Sequence, residues 1–411
     1  PTVTPPWQAA AYPTFAWIRS THGLGYIGPR RNSGFYGEYE DYLDAQFDPT
    51  RENRDGLARS IEDAQQRWDL FGWTDFGDLP TDFEDGRSPY NLKYDVGLGF
   101  IHQALRSGDW RWWEIGDEGA RHHVNEDCVH WAPGREYLLG APHHHNARHI
   151  VEKGWFPDHT VSGCDVSHSW VEGQITYYCL TGDMRTFENW NAMGDWYVWC
   201  VNNNRYGAGG QERGPGWTLI ALSALYNTTH EQKYLEAGSK VMGWLRGIQD
   251  PVRGVVSVPI SEQPSYEGGS SFMHGIVARG AGRWYEATGD ERGRLAAVGI
   301  ADWLTAESMG PPARFYYKQA PRIKGGYGSD WQCLTAMSYG MKYGDAGWYG
   351  PLAETLFESG RPDTRSMAWV PQSLAHLAGR LTPYRARLLT PSLRVAPAQP
   401  GEIRLHLQNT T

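Results

Sequence analysis

The 411-residue chain has only five cysteines, no long apolar run and no surplus of positive charge. Each shortage excludes something. Cys128, Cys164, Cys179, Cys200 and Cys333 are odd in number and contain no CxxC pair, which argues against a zinc ribbon or a thioredoxin-type site. A membrane-spanning helix needs ~20 predominantly apolar residues in a row, and no stretch approaches that. Lys and Arg number 38 against 47 Asp and Glu, a net charge of -9. That balance suits duplex nucleic acid poorly, because the phosphate backbone rewards basic patches. It does not exclude an acidic small substrate, since a local site can oppose the global charge. No Met and no signal-like apolar segment opens the chain at Pro1, so a processed or partial chain is expected.

What is abundant is Trp (20), Tyr (23) and Gly (49), with hydrophobic residues at 40%, enough for a large core. Leu and Val fill cores more readily than Trp does, so aromatic faces lining a sugar-binding cleft compete with an aromatic-rich helical core as the explanation. The glycines suggest many tight turns.

Those turns recur. YYCLTGDMRTFENW (177–190), WYEATGDERGRLAAVGIADWL (284–304), SYGMKYGDAGWYGPLAETL (338–356), ALYNTTHEQKYLEAGSKVMGWL (224–245) and HQALRSGDWRWWEIGDEGA (102–120) share one pattern. Each reads as a helix, a turn carrying Gly-Asp or an equivalent, and a second helix. The Gly closes the first helix in a left-handed conformation and the Asp caps the second. The turn acids are Asp109, Asp183, Asp290 and Asp345, with His230 standing in for one. Twelve helices are predicted, at 50–72, 92–107, 109–127, 166–182, 184–203, 213–229, 231–249, 270–288, 290–308, 328–344, 346–360 and 365–380. The ten from 92 to 360 make five hairpins; pairing the first helix with the last closes a ring, which removes the capping problem of an open solenoid. The expected fold is all-α, an (α/α)6 toroid over 49–385. It is preceded by an irregular Pro-, Gly- and Tyr-rich segment at 1–48 and followed by an extended tail at 386–411, where Ile403, Leu405 and Leu407 alternate like a strand.

The two cysteines of one hairpin, Cys179 and Cys200, fall near opposite ends of it. At about 1.5 Å per helical residue they lie too far apart to bridge. Cys128 and Cys164 flank one long loop and are the expected pair in an oxidising compartment.

In a toroid, the segments that precede the inner helices meet at one mouth. Here they contain Tyr90 and Asn91; Asp165, His168, Trp170 and Glu172; Arg213 and Trp217; Tyr266, Glu267 and His274; Tyr327, Asp330 and Trp331; and Trp369 and Gln372. Converging helix N-termini present unpaired N–H groups and partial positive charge, which favours an anionic ligand such as a uronate carboxylate or a sulfate. Loop packing and helix capping are the plainer explanation of any one of these residues. A loop of about 40 residues, a length usually functional or disordered, runs from Cys128 to Asp165. It holds His143, His144, His145, Asn146 and His149 and is expected to fold over the mouth. No cofactor is expected. A divalent metal beside the His-rich loop is the alternative, though adjacent histidines converge poorly on one ion and no HExxH is present.

Glycoside hydrolysis needs two carboxylates flanking the bond, with Asp75, Asp78, Asp165, Glu172 and Asp330 as candidates. Elimination across a uronate needs a group to neutralise the carboxylate, a base, and an acid for the leaving oxygen. The mouth is richer in His, Tyr and Arg than in carboxylates, which favours a lyase.

The run HHHNARHI (143–150), then HSWVEGQITYYCLTGD (168–183), RGPGWTLIALSALY (213–226) and EGGSSF…RWYEATGD (267–290), resembles the exo-rhamnogalacturonan lyases, polysaccharide lyase family twenty-six and its bacterial relatives. The likeness is to their C-terminal toroid and covers roughly 50–380. It implies cleavage of rhamnose–galacturonate chains from an end, leaving an unsaturated uronate, in an extracellular or periplasmic setting. Two β-rich domains precede the toroid in that family. They do not fit in the 48 residues before the first helix, so the rest of a longer chain is expected to supply them. Matching motif positions make His144, His145, His168 and Arg213 the catalytic candidates, joined by Tyr327 from its place at the mouth. The substrate-binding candidates are Tyr90, Asn146, Trp170, Glu172, Trp217, Asp330 and Trp331, and the expected partner is an acidic polysaccharide or oligosaccharide. An unsaturated-uronyl hydrolase on the same toroid and a non-catalytic glycan-binding or surface-assembly protein are the two other readings.

Overall fold

The computed structural model describes residues 14–21, 27, 56–71, 76–77, 92, 94–143, 164–207, 212–260, 263–310, 314–317, 330–344, 349 and 368–377. Helices dominate: α1 (Phe15–Thr21), α2 (Gly56–Trp68), α3 (Val96–Ser107), α4 (Trp110–Asn125), α5 (Glu172–Thr181), α6 (Met184–Asn202), α7 (Arg213–Thr229), α8 (Gln232–Ile248), α9 (Ser271–Thr288), α10 (Glu291–Trp303), α11 (Asp330–Tyr343) and α12 (Val370–Leu377). Two small antiparallel pairs interrupt them, β1 (Val258–Ile260) with β2 (Gln263–Gly268), and β3 (Met309–Gly310) with β4 (Arg314–Phe315).

The helices form an (α/α)6 toroid. The hairpins α3–α4, α5–α6, α7–α8 and α9–α10 each pack internally. The inner helices α3, α5, α7, α9, α11 and α12 follow one another around the axis. Inner helices show their position in their burial: Gly214 to Leu225 of α7 are buried without a break. α7 and α9 approach so closely that a Cβ on Gly280 would lie 2.3 Å from the Gly216 carbonyl oxygen, and glycine at both positions permits that crossing. The ring closes where Trp369, just before α12, donates its indole N–H to the Tyr94 carbonyl at 3.4 Å.

The hairpin turns carry more than the Gly-Asp read from sequence. In four of them a hydroxyl ends the inner helix, donating to the carbonyl four residues back and accepting the amide two residues on. Thr181 does so to Tyr177 at 2.8 Å and from Asp183 at 3.1 Å, and Ser107, Thr229 and Thr288 repeat it. Asp109, Asp183 and Asp290 then cap the outer helix through Arg111, Arg185 and Arg292 N–H groups, and the same arginine side chains return to the carboxylates. His230 does not stand in for the acid. It takes the glycine's place, with φ of 57°, and Glu231 follows as the cap residue.

Several boundaries differ from expectation. α3 starts at Val96 rather than 92, α5 at Glu172 after a 3-10 turn over Val166–His168, and α12 at Val370. The segment expected to be irregular contains α1, which forms because Phe15 packs on Trp110 and Trp113, with ring centroids 5.2 and 6.2 Å apart. All five cysteines are free thiols, so the expected Cys128–Cys164 bridge is absent, as is one between Cys179 and Cys200. Cys128 is buried in the bridge to Pro142 that starts the long loop, and its sulfur accepts from Gln174 at 3.7 Å. Burial pushes the Cys164 thiol up to about 12 and Cys128 higher still. The predicted helix at 346–360, apart from Tyr349, and the strand-like tail lie outside the described residues.

The turn geometry predicts opposite effects at equivalent places. His230→Gly should raise stability by about 1 kcal/mol by removing a side chain from a left-handed residue. Gly289→Ala, at φ of 73° with open space around it, should lower it by a similar amount. Urea denaturation of both variants reads the pair; a destabilised His230→Gly would mean that the edge contact of His230 with the Tyr226 ring outweighs backbone strain.

Candidate functional site

The inner-helix N-termini converge on one mouth, and the outer helices' C-terminal ends buttress it. From α4, His123 reaches the Trp170 carbonyl at 3.3 Å. From α6, the Tyr197 hydroxyl donates to Ser169 at 2.6 Å. Beyond α8, the Val256 amide donates to His274 Nε2 at 2.9 Å, and the Trp303 ring at the end of α10 packs 4.2 Å from the same imidazole. His274 is therefore a fully buried packing residue that accepts at Nε2 and whose Nδ1 faces the Ser270 carbonyl and Glu212.

Two buried carboxylates answer the helix ends across elements. Asp95, before α3, accepts from the Gly173 amide of α5 at 2.8 Å. Glu212, before α7, accepts from the Ser270 amide that opens α9. Each acid thus caps the next inner helix rather than its own. Leu92, Tyr94 and Asp95 all have positive φ, at 49°, 67° and 61°. Such a run of non-glycine residues costs energy and clusters at functional sites.

Tyr94, Trp170, Trp217 and Trp369 form an aromatic floor. Trp170 and Trp217 meet edge to face at 5.4 Å, Trp217 and Trp369 do the same, and Tyr94 touches all three. Trp170 and Trp217, expected as open stacking platforms, are 3% and 2% exposed. The toroid's narrow centre turns them onto one another. Trp331, in the first turn of α11, is likewise buried. Behind the floor Glu172 is clamped by Arg279 at 2.8 Å and by Arg283, while Arg279 lies over the Trp369 ring at 4.5 Å. Burial pushes the Glu172 carboxyl up, but the two guanidiniums hold it below its ordinary value. The expected substrate contact is thus the anion of a buried ion cluster. For Asp95 the balance goes the other way: burial first, then the Glu172 charge, raises it to about 6.

At the rim, the 3-10 turn before Trp170 aims His168 at Arg213. Arg213 Nη2 lies 3.1 Å from His168 Nε2, and His168 Nδ1 lies 3.4 Å from Asp165 Oδ2. A guanidinium only donates, so Nε2 is the acceptor and the imidazole proton sits on Nδ1, facing Asp165. Partial burial pushes the Asp165 carboxyl up. The hydrogen bonds from His168 and Ser167 more than offset this and hold it well below the usual range. The guanidinium also stands over the Phe272 ring. The structure thus brings His168 and Arg213 together, beside the floor of Trp170 and Trp217.

His144, His145, Asn146, Tyr90 and Tyr327 lie outside the described residues, as does the side chain of Asp330. The loop that carries the first three is rooted beside the mouth: the His143 amide donates to the Asp127 carbonyl at 2.7 Å, and His122 and His123 both face the Asp127 carboxylate. Among the described residues no group of three or more His, Cys, Asp or Glu is placed to hold a metal ion, and no helix is long and apolar enough to cross a membrane. Sequence reasoning missed Asp95, Glu212 and Arg279. Asp95 lay within a segment assigned to helix. Glu212, adjacent to the chosen Arg213, gave no pattern that pointed across to α9.

No family model matches the chain, and neither does any curated protein. Solved structures share its shape. A glycosyl hydrolase family 88 protein from Bacteroides vulgatus has a TM-score of 0.50 and 11% identity, over 70% of this chain and 91% of that one. A polysaccharide lyase gives 0.48 and 12%, over 70% and 89%. A family 76 glycoside hydrolase from a bovine Bacteroides thetaiotaomicron strain gives 0.47 and 15%, over 79% and 77%. At 11% identity the likeness to the family 88 protein shows the fold alone and no reaction.

Asp95 supplies a test of this electrostatic arrangement. Its folded value is raised, so the folded state holds its proton more tightly than the unfolded chain. The sign follows: the contribution is fully present below the unfolded value near 3.8 and is lost as pH rises through about 6. Asp95→Asn, which keeps the acceptor for Gly173 and removes the charge, should stabilise by about 2 kcal/mol at pH 8 relative to its effect at pH 4. Denaturant melts at the two pH values read the difference; an equal effect at both would show that Asp95 is not held by Glu172 and burial.

Proposed function

We propose that the protein is a carbohydrate-active enzyme that cleaves a uronate-containing glycan, of rhamnogalacturonan type, by β-elimination at the mouth of the toroid. The observation that carries the reading is the rim group Asp165–His168–Arg213: a cation, an oriented neutral imidazole and the carboxylate that orients it. Arg213 and the convergent helix N-termini hold the substrate carboxylate. His168 takes the ring proton at C5, the freed electron pair forms the C4–C5 double bond, and the C4–O bond breaks. A proton donor completes the leaving oxygen. Tyr327 has that role in this account, with His144, His145 and Asn146 closing over the sugar from the loop rooted at His143, and Tyr90 and Asp330 bordering it.

Among the described residues the carboxylates support elimination over hydrolysis, while Asp75, Asp78 and the Asp330 side chain lie outside them. A hydrolase needs two carboxyl groups open to the glycosidic bond. Here Glu172 is consumed by two arginines behind the floor, Asp95 and Glu212 cap helices, and Asp165 serves an imidazole. The enzyme works outside the cytoplasm, where such a polymer is met.

His168→Ala should lower turnover by ~10²-fold or more, well beyond what the about 1–3 kcal/mol lost with its buried contacts to Arg213 and Asp165 explains while the variant stays folded. The product should carry the ultraviolet absorbance of a conjugated unsaturated uronate. Full turnover in the variant, or cleavage without that absorbance, would contradict the assignment.

A further inference from the structure

The same atoms that suggest a base also show it engaged. Proton abstraction at Nε2 needs the nitrogen's lone pair, and in this structure Arg213 Nη2 points into it at 3.1 Å. The imidazole's other nitrogen has its proton directed to Asp165 Oδ2 at 3.4 Å. The carboxylate is itself fixed by the Ser167 amide at 2.6 Å and by the Ser167 hydroxyl. Among the described residues the charged groups facing the imidazole are therefore Asp165, from its own turn, and Arg213, from the first turn of α7. His168 is 6% exposed, and its ring is held at both nitrogens, by Asp165 and by Arg213. The ring cannot easily turn away from the guanidinium, so the long, half-buried arginine is the group that moves.

We propose that Arg213 masks His168 in the substrate-free protein and that a substrate carboxylate unmasks it, so that negative charge on the sugar is a condition of turnover and not only of binding. The inference deepens the elimination reading and rests on it for the identity of the substrate. A carboxylate offers the guanidinium two charge-assisted hydrogen bonds, against one to a neutral imidazole. Arg213 therefore transfers to it, and the Nε2 lone pair is released beside the ring proton it is to take. Asp165 acts through His168 as a positioning residue: it keeps the proton on Nδ1, so that Nε2 is the free nitrogen once the arginine leaves.

Two measurements test this on the full chain. Histidine-selective nitrogen NMR, with His168 assigned by loss of its signals in His168→Gln, should show the Nδ1–H tautomer in the free protein. Adding tri-galacturonate should shift the His168 Nε2 resonance, and the same trimer as its methyl ester should not. In Arg213→Ala, with its fold checked by circular dichroism, that acid-dependent shift should vanish; Asp165→Asn should keep the Nδ1–H tautomer in the free protein, where Arg213 enforces it, and lose tautomer purity only when the acid draws Arg213 away. In turnover of a rhamnogalacturonan oligosaccharide, methyl esterification of its galacturonates should lower kcat at least tenfold rather than raise KM alone, although the ester's ring proton is intrinsically the more acidic. An Nε2–H tautomer in the free protein, equal responses to acid and ester, or an unchanged kcat on the ester would overturn the proposal. The two claims fail separately: a carboxylate-dependent NMR response without unsaturated product removes elimination and leaves the masking, whereas unsaturated product without that response removes the masking alone.

Discussion

Six inner helices that aim their N-termini at one mouth leave unpaired N–H groups and like-signed partial charge in one place. The rest of the molecule is organised around that constraint. Asp95 and Glu212 meet part of it by reaching from the front of one inner helix to the front of the next. The tie is both a cap and a link in the ring, and Trp369 on Tyr94 closes the circle. Left-handed backbone at Leu92, Tyr94 and Asp95 is tolerated because it puts the carboxylate at Gly173 and the tyrosine ring among three tryptophans.

The aromatic floor divides the toroid chemically. Behind it lies a buried ion cluster, in which Glu172 holds two guanidiniums and burial drives His102 down to about 4. Buried charges cost stability unless paired, and their pairing commits them to structure. In front of it the ionisable groups at the rim retain adjustable partners. There Arg213 donates to an imidazole, a contact it can exchange for the stronger charge-assisted bonds of an anion.

Much of the fold was legible. The Gly-Asp turns marked the hairpins, and the closed ring followed from their number. The hydroxyl before four of the turns was present in the quoted segments but did not emerge as a signal, because its two hydrogen bonds are local and either Ser or Thr makes them. His230 was assigned the acid's role since a histidine in a left-handed position leaves no mark in a spacing pattern. At the site, His168 and Arg213 could be picked out and the structure joins them. Trp170 and Trp217 could not be separated into platform or floor, because composition counts rings and says nothing of which way they face. Asp95 was hidden by a helix boundary placed four residues early.

The central claim is that an acidic sugar sits at the mouth with its carboxylate on Arg213. Locating an oligogalacturonate bound to the protein by crystallography tests it most directly. The account predicts a uronate carboxylate bidentate on Arg213, with the ring's C5 carbon facing His168 Nε2. A saccharide bound away from the mouth, or at the mouth with Arg213 still on His168, would contradict it.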